Sequence, residues 1–231
     1  MDATAHGAQD GRLGDTTIAV RGSHSEWFAA ERATVKLSAG FQGPSRKDSL
    51  DQASASAVAV RESIEALADE QAGPITWWSS DRVSVWTERP WNSEGKQLPP
   101  VFHADVAFSA KFLDFDVLAT WLEDVASLPG VTISDVLWTL TRARTESVVA
   151  EVRSAAVKDA VDKATTFAQS IGLSTVRAVA LADPGLLGEQ PVGMRAASYD
   201  MMSAKATSGG LVFKPEEIEV SATVDVRFVA T

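Results

Sequence analysis

The chain contains no cysteine. That single absence removes disulfides, thiolate nucleophiles, iron–sulfur clusters and thiolate zinc sites, while leaving the redox compartment unfixed, because exported proteins also do without cysteine. Histidine is almost as scarce, at three residues, His6, His24 and His103. They are too scattered for a metal site and none belongs to a His-Glu-x-x-His arrangement, so each reads as a solvent-facing or locally bonded imidazole. No apolar run approaches the length needed to cross a bilayer as a helix. Positive charge is also short. With 21 basic against 31 acidic residues the formal charge is −10, and no basic patch offsets it, so nucleic acid is not an expected partner. The signatures Gly-x-x-x-x-Gly-Lys, Gly-x-Gly-x-x-Gly and Gly-x-Ser-x-Gly are missing, which takes away the usual marks of nucleotide and acyl-transfer chemistry. No cofactor is expected.

What is present is an ordinary globular composition: 231 residues, 45% of them apolar and 23% charged, ample for a buried core. Two segments alternate with a two-residue period, as half-buried strands do. In one, Phe102, Ala104, Val106, Phe108, Ala110 and Phe112 point one way; in the other, Ile218, Val220, Ala222, Val224, Val226 and Phe228 do. Weaker alternation marks 16–21, 33–39, 82–88, 131–141 and 175–182. Three helical stretches intervene. The first has a stripe of Leu50, Ala53, Ala57, Val60, Ile64 and Leu67 and ends before Gly73-Pro74. The second starts after Asp114, a good N-cap, and stops at Pro129-Gly130. The third runs from about Thr145 through Val149, Val152, Ala156, Ala160, Ala164 and Phe167 to Ile171, with Gly172 placed to end it.

The order β-β-α-β-β-α-β-α-β-β predicts an α+β fold, a two-layer domain of mainly antiparallel sheet with three helices on one face. Residues 1–15 read as a flexible tail, since they lack the apolar stretch of a secretory signal, and 16–231 as a single domain with a long loop at 183–214. The cytoplasm is the expected location, with export after removal of a leader as the alternative.

Four stretches together resemble one family. Glu219-Val220-Ser221-Ala222-Thr223-Val224-Asp225-Val226-Arg227-Phe228 is similar to the closing strand of SIMPL domain proteins, the bacterial oxidative-stress-defence and periplasmic-immunogenic-protein group. Ile18-Ala19-Val20-Arg21-Gly22 resembles their first strand, and Ala33-Thr34-Val35-Lys36-Leu37 their second. The run from Ala156 to Ala164, followed by Ile171-Gly172-Leu173, resembles their long Ala-rich helix. The chain has Ala30-Glu31-Arg32 where Pro-Asp often precedes the family's second strand. The resemblance implies a fold, a tendency to self-associate and a link to stress tolerance. It implies no catalytic residues.

Tryptophan is the distinctive feature. Trp77, Trp78, Trp86 and Trp91 fall within fifteen residues, and alternation sends Trp86, with Ser84 and Glu88, away from Val83 and Val85. An exposed indole suits an interface hot spot. A small apolar or aromatic ligand is the alternative, and a helix or loop folded over the rings is the purely structural one. Met194, Met201 and Met202 in the long loop invite a redox reading, against which stands adaptable packing on a neighbouring subunit. The carboxylate pairs Asp114 and Asp116, Glu123 and Asp124, and Glu216 and Glu217 read as caps and wet surface rather than acid–base machinery. The expectation is a non-enzymatic homo-oligomer that uses the Trp-rich segment, the loop and its strand edges.

Overall fold

The computed structural model describes residues 15–187 and 214–231. Most of the expected loop, its three methionines, His6 and most of the expected tail therefore lie outside the described residues. The described elements run in the order β1 (Thr16–Ala29), β2 (Arg32–Gly43), α1 (Arg46–Glu65), β3 (Ile75–Ser80), β4 (Ser84–Glu88), β5 (Val101–Phe112), α2 (Phe115–Ala126), β6 (Val131–Thr139), α3 (Arg142–Ser170), β7 (Val176–Ala182) and β8 (Glu217–Ala230). The fold is α+β, as the sequence predicts, with one strand more than expected. The extra strand is β3, which alternation does not reveal because its register shifts between Ile75 and Trp77. The strands fall into two sheets, and the chain groups into two compact units.

The larger unit comprises, among the described residues, 28–142 and 214–218. Its five-stranded sheet has the order β3-β5-β2-β6, with β4 also pairing β5. Each pairing is antiparallel. The alternation of β5 is realised: Ala104, Val106, Phe108, Ala110 and Phe112 are buried. Val106, Phe108, Ala110 and Phe112 meet Ala33, Val35, Leu37 and Ala39 of β2 in one core with Val60 and Ile64 of α1 and Leu118, Trp121, Leu122 and Val125 of α2. Burial of such side chains contributes roughly 1.5–3 kcal/mol each. The buried face of α1 is less apolar than its stripe suggests. Ser49 and Ser56 are buried there, donating to the carbonyls of Phe102 at 3.0 Å and Pro129 at 2.7 Å. Each hydroxyl thus satisfies a backbone acceptor. Trp121 donates its indole N–H to Ser63 Oγ at 3.1 Å, tying α2 to α1. Asp114 is the N-cap of α2, accepting from the N–H groups of Asp116 and Val117, both at 3.0 Å.

The smaller unit comprises, among the described residues, 15–27, 143–187 and 219–231. Its sheet has the order β1-β8-β7, covered by α3 through Ala156, Ala160, Ala164 and Ala168 against Ile18, Val224, Val226, Phe228 and Ala230. Alanines at every fourth position bring the helix backbone close to the sheet, and Gly22 completes the approach. A Cβ at Gly22 would lie 2.0 Å from the Ala156 carbonyl oxygen and 2.8 Å from the Ala160 methyl. The end of α3 is a Schellman motif: Leu173 N–H reaches Ala168 O at 2.9 Å and Gly172 N–H reaches Gln169 O at 3.1 Å, with Gly172 at φ +81°. Phe167, expected inside, is 54% exposed; Ala168 occupies the buried place.

Two carboxylates organise the polar side of this unit. Asp225 accepts from Arg21 Nε at 2.7 Å and Nη2 at 3.0 Å, and from Gly185 N–H at 2.8 Å. The Arg21 guanidinium holds the Asp225 carboxyl below its ordinary range, with the Gly185 N–H assisting. Asp159 is lowered by Lys163, 2.6 Å away, and by the Ser23 N–H at 2.8 Å.

Candidate interaction surface

Strand β5 is flanked along one side by two short strands placed end to end. Strand β3 pairs with its second half and β4 with its first, and the Asp81 N–H bonds Ala107 O at 2.9 Å in the gap. Among the described residues β4 pairs only with β5 and β3 ends the sheet order, with Ala68 bridging Ile75 at its start, so the rest of this side is an open edge, the kind of edge that natural sheets blunt or cover.

The register fixes each tryptophan. Trp77 lies opposite Lys111 and Trp78 opposite Ala110, so the two indoles project from opposite faces of the sheet. Trp78 packs against the core. Trp77 is 49% exposed, with the Lys111 ammonium 5.6 Å from its ring centroid, a cation–π contact. Trp86 lies opposite His103 and is 47% exposed, on the same outer face as Trp77. Lys111 and His103 are eight positions apart on β5, which separates the two indoles by roughly 27 Å along the strand. Trp91, 65% exposed, bridges Gln97 in the hairpin between β4 and β5. That hairpin is built by Asn92, whose side-chain oxygen accepts from the N–H groups of Glu94 at 3.0 Å and Lys96 at 2.7 Å. The Leu98 N–H bonds Pro90 O at 2.8 Å, closing the loop behind it. The four tryptophans are therefore spread along one edge rather than gathered into one pocket, and one of them faces the core.

Sequence reasoning set His103 aside as a residue of the polar face. It is on that face, and its ring stacks on Trp86 with centroids 4.9 Å apart and planes 5° from parallel. Its Nε2 lies 3.5 Å from a Glu88 carboxylate oxygen. Alternation could place both rings outward; it could not supply the register that makes them neighbours. His24 lies 3.7 Å from Glu26. Among the described residues no group of three or more His, Cys, Asp or Glu could hold a metal ion, and no helix is long and apolar enough to cross a membrane. A cavity of about 640 Å³ beside the start of α2 is lined by Pro74, Leu113, Asp114, Phe115, Asp116 and Pro215, among others; none of the four tryptophans lines it.

With this geometry in place, comparison with known proteins decides the family. The SIMPL family model, described as a protein of unknown function (DUF541), matches residues 18–228. The chain belongs to the SIMPL family. The match runs from Ile18 of β1 to Phe228 of β8, so this SIMPL chain carries the family pattern through every described element. No curated protein matches it. A solved structure from Burkholderia cenocepacia, of a protein assigned as an amidohydrolase/peptidase, is similar at 19% identity and a TM-score of 0.24. That match covers 73% of this chain, which spans only 38% of the other protein.

Proposed function

We propose that this SIMPL protein is not an enzyme and works by associating with copies of itself, in a structural or interaction role linked to stress tolerance. The observation that carries the reading is the β3/β4 edge, unpaired among the described residues for most of its length, where Trp77 and Trp86 stand exposed on the outer face and Trp91 extends beyond them. Exposed indoles beside unpaired strand edges are features that association covers, and tryptophan is enriched at the hot spots of such contacts. The spread of the indoles along the edge favours a broad contact over a single small-molecule pocket.

Light scattering across micromolar concentrations tests the reading: a mass above that of the 24.6 kDa chain supports it, and a strict monomer overturns it. Trp86→Ala or Trp91→Ala lowers the assembly mass if this edge is the contact. An unchanged mass removes the edge from the interface.

A further inference from the structure

Trp86, His103 and Glu88 do more than decorate the edge. The His103 side chain is 16% exposed, and among the described residues its Nε2 is out of solvent with no hydrogen-bond partner. A buried nitrogen without a partner is unusual enough to need a reason. Its surroundings supply one. From β4, the Trp86 ring lies parallel over the imidazole and the Glu88 carboxylate approaches to 3.5 Å, its own side chain 62% exposed and free to swing. From β5, Asp105 lies two positions along on the same face. From β2, the residues opposite His103 and Asp105 are Gln42 and Gly40, both uncharged. Every charged group facing the imidazole from these strands is an anion.

We propose that these three residues form a proton-responsive clasp that fastens β4 to β5 when His103 is protonated. Imidazole is the side chain that changes charge between about pH 5 and 8. On taking up a solvent proton both ring nitrogens become donors, so Nε2–H faces the Glu88 carboxylate and a small swing of Glu88 closes a charge-assisted hydrogen bond. The imidazolium then also lies over the face of the Trp86 ring, with Asp105 adding favourable field. On losing the proton the ring loses its charge, and with it the ion pair to Glu88 and the attraction to the face of Trp86. The contribution is thus present where the imidazole is charged and absent where it is neutral. Strand β4 has five residues and, among the described residues, one neighbouring strand, so its local opening is the low-energy motion on which such a contact acts. The clasp lies within one chain, so its exchange is read at a protein concentration where light scattering gives the same mass at both pH values.

Hydrogen exchange of the 84–88 peptide, corrected for the intrinsic pH dependence of amide exchange, tests it. The open fraction of β4 should be several-fold smaller at pH 5.5 than at pH 8, while β2 stays unchanged. His103→Phe keeps a ring on Trp86 but has no titrating nitrogen, and should abolish the pH dependence; Glu88→Gln should reduce it. Equal protection of wild-type β4 at both pH values, or a pH dependence retained in His103→Phe, overturns the proposal. Should His103→Phe fold poorly, the exchange of Glu88→Gln decides on its own. A pH dependence of β4 exchange that is smaller in Glu88→Gln than in wild type supports the clasp, and one of undiminished size overturns it.

Discussion

At Gly22 the absence of a side chain is what lets a helix lie on a strand. A methyl there would meet the backbone carbonyl of Ala156 at 2.0 Å, an atom that cannot rotate away, so Gly22→Ala forces α3 off β1 and opens the alanine-lined core. Overpacking of this kind costs about 1–3 kcal/mol, and the thermal midpoint of Gly22→Ala should fall accordingly, by calorimetry. An unaltered midpoint would mean that α3 yields without loss. The sequence shows Gly22 only as the end of an alternating strand; which carbonyl crosses it is set by tertiary packing. Asp225 is legible in the same partial way, as the polar position of a strand, with no sign of its Arg21 partner 204 residues away. Its carboxyl is held below the ordinary carboxylate range by that arginine. A carboxyl depressed in the folded state contributes stability above the unfolded-state value of about 3.9 and loses it as pH falls through the folded value. The stability difference between wild type and Asp225→Asn in urea unfolding should therefore be largest near neutral pH and shrink below about pH 4. Arg21 is 60% exposed, so solvent screening keeps the difference small, about 1 kcal/mol or less.

Helix α3 shows how far periodicity carries an element and where it stops. Its existence, its small-residue stripe and its glycine stop are all written in the sequence, because spacing of three and four and a left-handed terminus are local matters. Its last inward turn is not, since Phe167 and Ala168 are adjacent and the larger residue looks the better core candidate. The structure buries the alanine because the sheet beneath already holds Phe228. Phe167→Ala should change stability by less than about 1 kcal/mol, as surface substitutions do, whereas Phe228→Ala should cost about 3–5 kcal/mol. Chemical denaturation of the two variants checks the pair, and equal losses would place Phe167 in the core. The same limit governs the edge strands. Alternation sets Trp86 outward correctly, but the sequence cannot say that β3 and β4 share one side of β5, and so cannot distinguish a cluster of four indoles from a row of separated ones. Nor does any local signal pair Trp86 with His103. That contact follows from a register fixed by the long β4–β5 hairpin and its Asn92 tip.

For the molecule as a whole, the charge of −10 bears directly on association. Every copy carries the same net charge, so copies repel at long range, and any contact between them must overcome that repulsion with short-range apolar burial. At the exposed edge the short-range groups are indoles, whose burial is insensitive to moderate salt, while the repulsion is screened. The screening length falls from about 30 Å at 0.01 M salt to about 10 Å at 0.1 M. Association through the Trp77, Trp86 and Trp91 edge should therefore strengthen over that range, seen as a rise in weight-average mass by sedimentation at fixed protein concentration. A contact built on pairing of opposite charges would weaken instead, because the same screening removes its attraction. A falling mass would thus exclude the tryptophan edge as the main contact and direct attention to charged strand faces, such as the one on which Arg21 and Asp225 pair.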